Sequence, residues 1–425
     1  MRANLHYPLK GQACSLAFFI GLSKVPKSDS SMQTLSLQCR YSRSGLIQMI
    51  IYADENMPYV NDFFADLGEV RLVNGRTLTS EQMSDADVLL VRSVTKVNQH
   101  LLAKSPKLKF VGTATIGTDH IDQAYLQQRG IGFSSAPGCN AQSVVEYVLS
   151  SIFVLCEKYQ WNLQQKTVGV VGVGNIGKLL VRVLQALSVR VLCCDPERAA
   201  TEADFPHIPF EELLPQLDIV SFHVPLIKTG PNATADLLNS QTIKLLKPDC
   251  AVINACRGEV TNNEALLKEA QSGHHRPLVL DVWANEPEPD LRLIPYTDIA
   301  SAHIAGHSIE GKARGTEMLY QALCQQLDLS PTKSLSQVLP EPQISELKIN
   351  SNFRLLDVQN LARLLYDVRR DDALFRFYMM QDKKTQGFDW LRKSYPPRRE
   401  FSSVRLTGQE VPEFLTTLGF NTQIN

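Results

Sequence analysis

The chain is 425 residues long and 44% hydrophobic, and its 43 Lys plus Arg against 44 Asp plus Glu give a formal net charge of -1. That length exceeds one hydrophobic core and implies two or three domains; the composition excludes a largely disordered chain. The charge balance excludes a global field for nucleic acid or an anionic membrane, so any anion recognition is local.

Residues 1–48 read apart from the rest. Arg2, His6 and Lys10 precede a short apolar stretch, Ala13 to Leu22, and a Ser/Lys/Gln-rich tract without periodicity follows. The stretch has the length of a signal-peptide core, but no small-residue cleavage site follows it. The segment is expected to be a non-structural extension or the product of an upstream start, with the folded protein beginning at Met49. A membrane tether through Leu16–Leu22 is the weaker alternative, since no apolar run reaches bilayer-spanning length. The nine cysteines show no zinc-ligand spacing and no CxxC pair, so no metal is expected. Adjacent Cys193 and Cys194 in an apolar run fit reduced thiols in a cytoplasmic protein.

From Met49 onward short apolar runs alternate with amphipathic segments, the rhythm of a parallel α/β sheet. Strands are predicted at Ile50–Ala53, Glu69–Leu72, Val88–Val91, Phe110–Gly112 and Gly132–Ser134, with helices at Pro58–Leu67 and Leu101–Lys104. A long helix follows from Ala141 to Lys158, capped by Asn140, its apolar positions Val144, Val145, Val148, Ile152 and Leu155 at helical spacing. A second series of buried strands is predicted at Thr167–Val171, Arg190–Cys194, Ile219–His223, Ala251–Asn254 and Leu278–Leu280. A helix from Ile309 to Leu329 returns toward the first unit, a Pro/Ser-rich linker spans Ser330 to Pro342, and Ile344 to Asn425 read as a small α+β appendix. The expected organisation is thus a first α/β domain from residues 49–142 and 305–330, a Rossmann-like domain from 143–304, and a C-terminal domain from 331–425.

Val168–Val171 runs into Gly172-Val173-Gly174-Asn175-Ile176-Gly177 and then a helical segment, Lys178–Leu187. This is GxGxxG in its strand–turn–helix context. The first glycine permits the tight turn, the second lets a pyrophosphate approach, and the third lets helix pack on strand. Asp195 follows the next apolar strand, where a carboxylate accepts from ribose hydroxyls and repels the extra phosphate of NADP, so NAD is the expected cofactor. The bland alternative makes the glycines an ordinary turn and Asp195 a loop cap.

Three further segments carry chemistry: Asn254-Ala255-Cys256-Arg257-Gly258, Asp281-Val282-Trp283-Ala284-Asn285-Glu286-Pro287 and Ala302-His303-Ile304-Ala305-Gly306. Oxidising a 2-hydroxy acid needs a base of near-neutral pKa for the hydroxyl proton, and His303 supplies one. Glu286 orients the imidazole and stabilises its cation, and Arg257 grips the substrate carboxylate with a planar fork that lysine lacks. Singly, such residues are more often a surface cation, a loop acid and a structural histidine; together, behind a nucleotide motif, they point to catalysis.

From Met49 to about Leu329 these motifs resemble the D-isomer-specific 2-hydroxyacid dehydrogenases. The resemblance implies Arg257, Glu286 and His303 as the catalytic set. It also implies that Val224, Ala255, Cys256, Asp281 and Gly306 lie against NAD. The segments Ala53–Tyr59, Val91–Asn98, Gly112–His120 and Tyr366–Asp372 resemble members that act on a phosphorylated four-carbon acid. In those, Ser93, Thr115 and the residue at 307 contact substrate and the C-terminal domain forms a homodimer. Two departures stand out: His307 where the family usually has Tyr, and Val224 where it often has Thr. Because such a substrate is anionic at both ends, Arg92 or Lys96 is expected to reach the phosphate, whereas Arg369 and Arg370 are expected to be solvated or paired with acids. Two alternatives stay open, a phosphoglycerate-type dehydrogenase with the same chemistry and an NADH-sensing interaction protein of the same fold.

Overall fold

The computed structural model describes residues 49–350, 352–380 and 384–424. The expected non-structural extension, residues 1–48, lies outside them.

The first sheet contains β1 (Met49–Asp54), β2 (Gly68–Val73), β3 (Val88–Val91), β4 (Phe110–Thr113) and β5 (Gly132–Ser135), all parallel, in the order β2-β1-β3-β4-β5. The second contains β6 (Thr167–Val171), β7 (Arg190–Cys194), β8 (Ile219–Phe222), β9 (Ala251–Asn254), β10 (Leu278–Leu280) and β11 (Ile299–Ala300), also parallel, in the order β11-β10-β9-β8-β6-β7. In each sheet the chain reverses its direction of strand addition after two strands. The switch points therefore fall between β1 and β3 and between β6 and β8, where open α/β sheets leave a crevice beyond the strand ends. A third, three-stranded sheet joins β12 (Glu346–Lys348), β13 (Arg405–Gly408) and β14 (Asn421–Ile424).

The helix Ala141–Tyr159 is the main brace. Val144, Val145, Val148, Ile152 and Leu155 are all buried in one cluster with Val168 and Val170 of β6 and with Val358, Leu361, Phe401 and Leu406 of the C-terminal part. Each such side chain contributes about 1.5–3 kcal/mol of burial. The helix Ile309–Gln326 returns to the first sheet, where Leu319, Tyr320 and Leu323 pack with Ile51, Leu90 and Phe110.

Three local expectations are revised and one strand is added. The helix predicted over Pro58–Leu67 shrinks to Val60–Phe64. Leu101–Lys104 forms consecutive turns, because Asn98 Oδ1 accepts from Leu101 N at 3.0 Å and Pro106 follows before a helix can nucleate. Asn140 stands at the N-cap position but makes no side-chain cap bond; its amide instead packs over Gly306, where an added Cβ would lie 2.2 Å from Asn140 Nδ2. The two-residue β11 was not expected, being too short to show alternation.

Candidate active site

β6 is fully buried and is followed by Gly172, whose φ of 87° is the left-handed turn that glycine permits. A Cβ on Gly177 would lie 2.0 Å from Gly172 O, so the helix Asn175–Ala186 closes onto the strand only without one. At Gly174 a Cβ would meet nothing within 4 Å: the cradle is open there, on the side that a pyrophosphate needs. Gly172, Gly174, Asp195, His207, His223 and Val224 line a cavity of about 670 Å³ at the β6/β8 switch. The donor set fits a dinucleotide. His223, missed in the sequence, is buried there with Nε2 on Ser221 Oγ at 2.8 Å and no partner for Nδ1, and burial pushes its pKa down to about 4.

Asp195 stands where the ribose role would place it and also caps, as the alternative reading had it. It lines the cavity, and it caps the helix Pro196–Thr201 by accepting from Arg198 N at 3.0 Å, while its other oxygen accepts from Val173 N in the glycine loop at 2.8 Å.

The catalytic candidates stand beyond β9, β10 and β11. Asn254 at the end of β9 accepts from Cys256 N (3.1 Å) and donates to Arg257 O (2.9 Å), which fixes the turn presenting Arg257. Gly258 is required by close approach, since a Cβ would lie 2.0 Å from the Trp283 carbonyl carbon. Cys256 is buried and its thiol is pushed up to about 11, so it packs and does not attack. Ala255 is buried beside it.

Trp283 N donates to Glu286 Oε1 at 2.9 Å, and Glu286 Oε2 holds His303 Nδ1 at 2.7 Å. With Glu286 ionised, Nδ1 carries the proton and Nε2 is left as the acceptor. His303 sits at φ 57°, an uncommon conformation for a non-glycine residue, stabilised by its N–H donating to Asp281 O at 2.6 Å. The Asp281 carboxylate is buried and accepts from Ser301 Oγ (2.6 Å), Ile304 N (2.8 Å) and Ala305 N (2.9 Å). Its visible task is therefore to shape the histidine loop. Burial pushes its pKa up, against His303 and those hydrogen bonds. From the C-terminal part, Arg398 donates to Ala305 O at 3.2 Å and Phe375 stacks on Trp283 at 5.3 Å, so the same loop is braced from behind.

On the first sheet, Arg92 and Ser93 begin the exposed loop after β3, at the β1/β3 switch. Thr115 donates to Gly117 O at 2.9 Å and shares a hydrogen bond with Thr113 at 2.7 Å. His307 packs edge-on against Tyr395 with ring centroids 5.6 Å apart, and its Nδ1 is buried without a partner. Lys96 is exposed and makes no hydrogen bond or ion pair among the described residues. Arg369 pairs with Asp367 and Glu157, and Arg370 with Asp371. The cysteines seen among the described residues are all free and buried.

Residues 154–305 match the family model described as D-isomer specific 2-hydroxyacid dehydrogenase, NAD binding domain, and residues 338–419 match a domain of unknown function. The chain belongs to the D-isomer specific 2-hydroxyacid dehydrogenase family, and NAD is its cofactor. Its curated relatives include proteins named erythronate-4-phosphate dehydrogenase. That of Pseudoalteromonas translucida is 49% identical over 88% of this chain and 99% of its own length. That of Tolumonas auensis is 49% identical over 89% of this chain and 100% of its own. Among solved structures, D-lactate dehydrogenase of Aquifex aeolicus with NAD and lactic acid has a TM-score of 0.51 at 24% identity, covering 66% of this chain and 95% of that one. NAD-bound 3-phosphoglycerate dehydrogenase of Entamoeba histolytica has a TM-score of 0.53 at 21% identity, covering 66% and 96%. These two likenesses concern the fold alone.

Proposed function

We propose that the chain catalyses NAD-dependent oxidation of 4-phospho-D-erythronate to (R)-3-hydroxy-2-oxo-4-phosphooxybutanoate, a step of pyridoxal 5′-phosphate (vitamin B6) biosynthesis. One observation carries this reading: identity of 49% to an erythronate-4-phosphate dehydrogenase extends over 99% of that protein, taking in the substrate loops and the C-terminal part as well as the nucleotide fold.

The residues divide the work. Arg257 grips the C1 carboxylate, and Arg92 or Lys96 reaches the phosphate, assisted by the hydroxyls of Ser93 and Thr115. His303 Nε2 accepts the proton of the 2-hydroxyl while Glu286 keeps Nδ1–H and offsets the imidazolium charge. NAD, when held by Gly172–Gly177 and Asp195, supplies the acceptor for the hydride that leaves C2. The proton on His303 then passes to solvent, so the alcohol becomes a ketone with one hydride and one proton accounted for. Residues 49–142 with 305–330 serve as the substrate domain and 143–304 as the NAD domain. Residues 331–425 serve as a homodimerisation domain, supported by the exposed Leu356, Leu364, Met380 and Trp390 there. A cytoplasmic setting is supported by the free buried thiols, and no described helix is long and apolar enough to cross a membrane.

The test is NADH absorbance with purified protein, NAD and either 4-phospho-D-erythronate or 3-phosphoglycerate, with a trap for the 2-oxo acid. Preferential turnover of phosphoerythronate is expected. Preference for phosphoglycerate overturns the substrate and keeps the chemistry; NAD binding without turnover of either acid favours the sensor.

A further inference from the structure

Most arginines of the C-terminal part are committed to acids. Arg363 and Arg369 pair with Glu157, Arg370 with Asp371, Arg376 with Asp372, Arg398 with Glu146 and Arg399 with Glu310. Arg392, in the helix Lys384–Lys393, has no carboxylate partner among the described residues; unlike Arg405, which also lacks one but is exposed, it is partly buried, and its Nε, like those of Arg363 and Arg398, is buried without a hydrogen bond. Three residues further on, Tyr395 rests against His307, which brings this segment to the motif that carries His303.

Lys312 and Arg92 approach the same place from two other directions. Gly315 packs on the end of β4, where an added Cβ would lie 3.4 Å from Ala114 O. Lys312 is one helical turn earlier on the same face, beside the loop that holds Thr115. Arg92 leaves β3 at the first sheet's switch point. Neither Lys312 nor Arg92 has an acid partner among the described residues. Their fields meet at His307: burial and then Lys312, Arg392, His303 and Arg92 push its pKa well down, and burial with Arg92 lowers that of Lys312. An uncompensated cluster of this kind gains most from a dianion held by several charge-assisted hydrogen bonds.

We propose that Arg92, Lys312 and Arg392, gathered around His307, form a phosphoryl subsite next to His303, so that the C-terminal part contributes directly to substrate recognition. The phosphorylated hydroxy acid as occupant rests on the function proposed above; the anion site itself rests on the unpaired cations.

Inorganic phosphate is the probe. The intact protein is expected to melt at higher temperature in phosphate than in chloride of equal ionic strength, and Arg392→Gln and Lys312→Met should each lose most of that gain. In turnover, the ratio of kcat/KM for 4-phospho-D-erythronate to that for D-erythronate should fall at least about tenfold in each variant, with partial recovery in Arg392→Lys. Far-UV circular dichroism checks that the variants fold. Equal losses for both acids, or undiminished phosphate stabilisation in both folded variants, overturns the subsite. If the wild-type chain oxidises neither acid, the functional reading fails while the melting data still decide the anion site.

Discussion

The nucleotide cradle follows β6 at the second sheet's topological switch, and Arg92 of the cation cluster follows β3 at the first sheet's, yet the two sites are built in opposite ways. The cradle is one run of residues, Gly172 to Gly177, in which Gly172 and Gly177 answer requirements of the backbone beside them and Gly174 leaves an open face. The cluster gathers Arg92, His307, Lys312 and Arg392 from three separate segments, none of which needs the others to fold locally. Cofactor binding is thus a short-range property of the second sheet, whereas substrate choice depends on how the first sheet, the return helix and the C-terminal part are assembled.

The contrast can be broken most severely within the cradle. Gly177→Ala places a Cβ against the Gly172 carbonyl. We expect a loss at the upper end of overpacking costs, about 3 kcal/mol, read as a lower Tm together with lost NAD binding. Gly174→Ala meets no protein atom, so its Tm should stay close to wild type while NAD titration weakens; unchanged NAD affinity would move the pyrophosphate elsewhere. Next in size, Arg257→Lys keeps the charge and loses the fork, and kcat/KM should fall by about 2 kcal/mol, roughly 30-fold. A change of twofold or less would remove the bidentate grip.

The smallest effect concerns the brace between the regions. Burial raises the pKa of Glu146; Arg398 opposes that rise and Glu400 adds to it. A carboxyl whose folded pKa is raised binds more protons in the native than in the unfolded state, so stability falls as pH climbs above the ordinary carboxylate range. Glu146→Gln cannot ionise. Its Tm relative to wild type should therefore improve from pH 5 to pH 8, by the equivalent of about 1 kcal/mol, whereas parallel melting curves would place the burden on another group.

Legibility follows the same division. Buried strands, the glycine turn and the order Arg257, Glu286, His303 were readable because each is set by neighbours in sequence, and the structure brings Glu286 and His303 within 2.7 Å. Asp281 was expected against the cofactor, but the sequence could not reveal that Ser301, Ile304 and Ala305 converge on its carboxylate. Asn140 had the residue type of a cap, and tertiary packing against Gly306 took its side chain elsewhere. Arg92 was proposed for the phosphate because the substrate is anionic at both ends, and it lies in the loop after β3. Lys312 could have been noticed as a cation five residues beyond His307 on a helix opening, but Arg392 carried no signal, since nothing local distinguishes it from its paired neighbours.

The proposed base of the 2-hydroxyacid oxidation is His303, oriented by Glu286. The direct measurement is single-turnover NADH formation by His303→Asn with 4-phospho-D-erythronate, alongside an NAD titration of the same preparation. The expected rate is about 10²–10⁴-fold below wild type with NAD affinity unchanged. Turnover within a few-fold of wild type, with NAD bound normally, would contradict it.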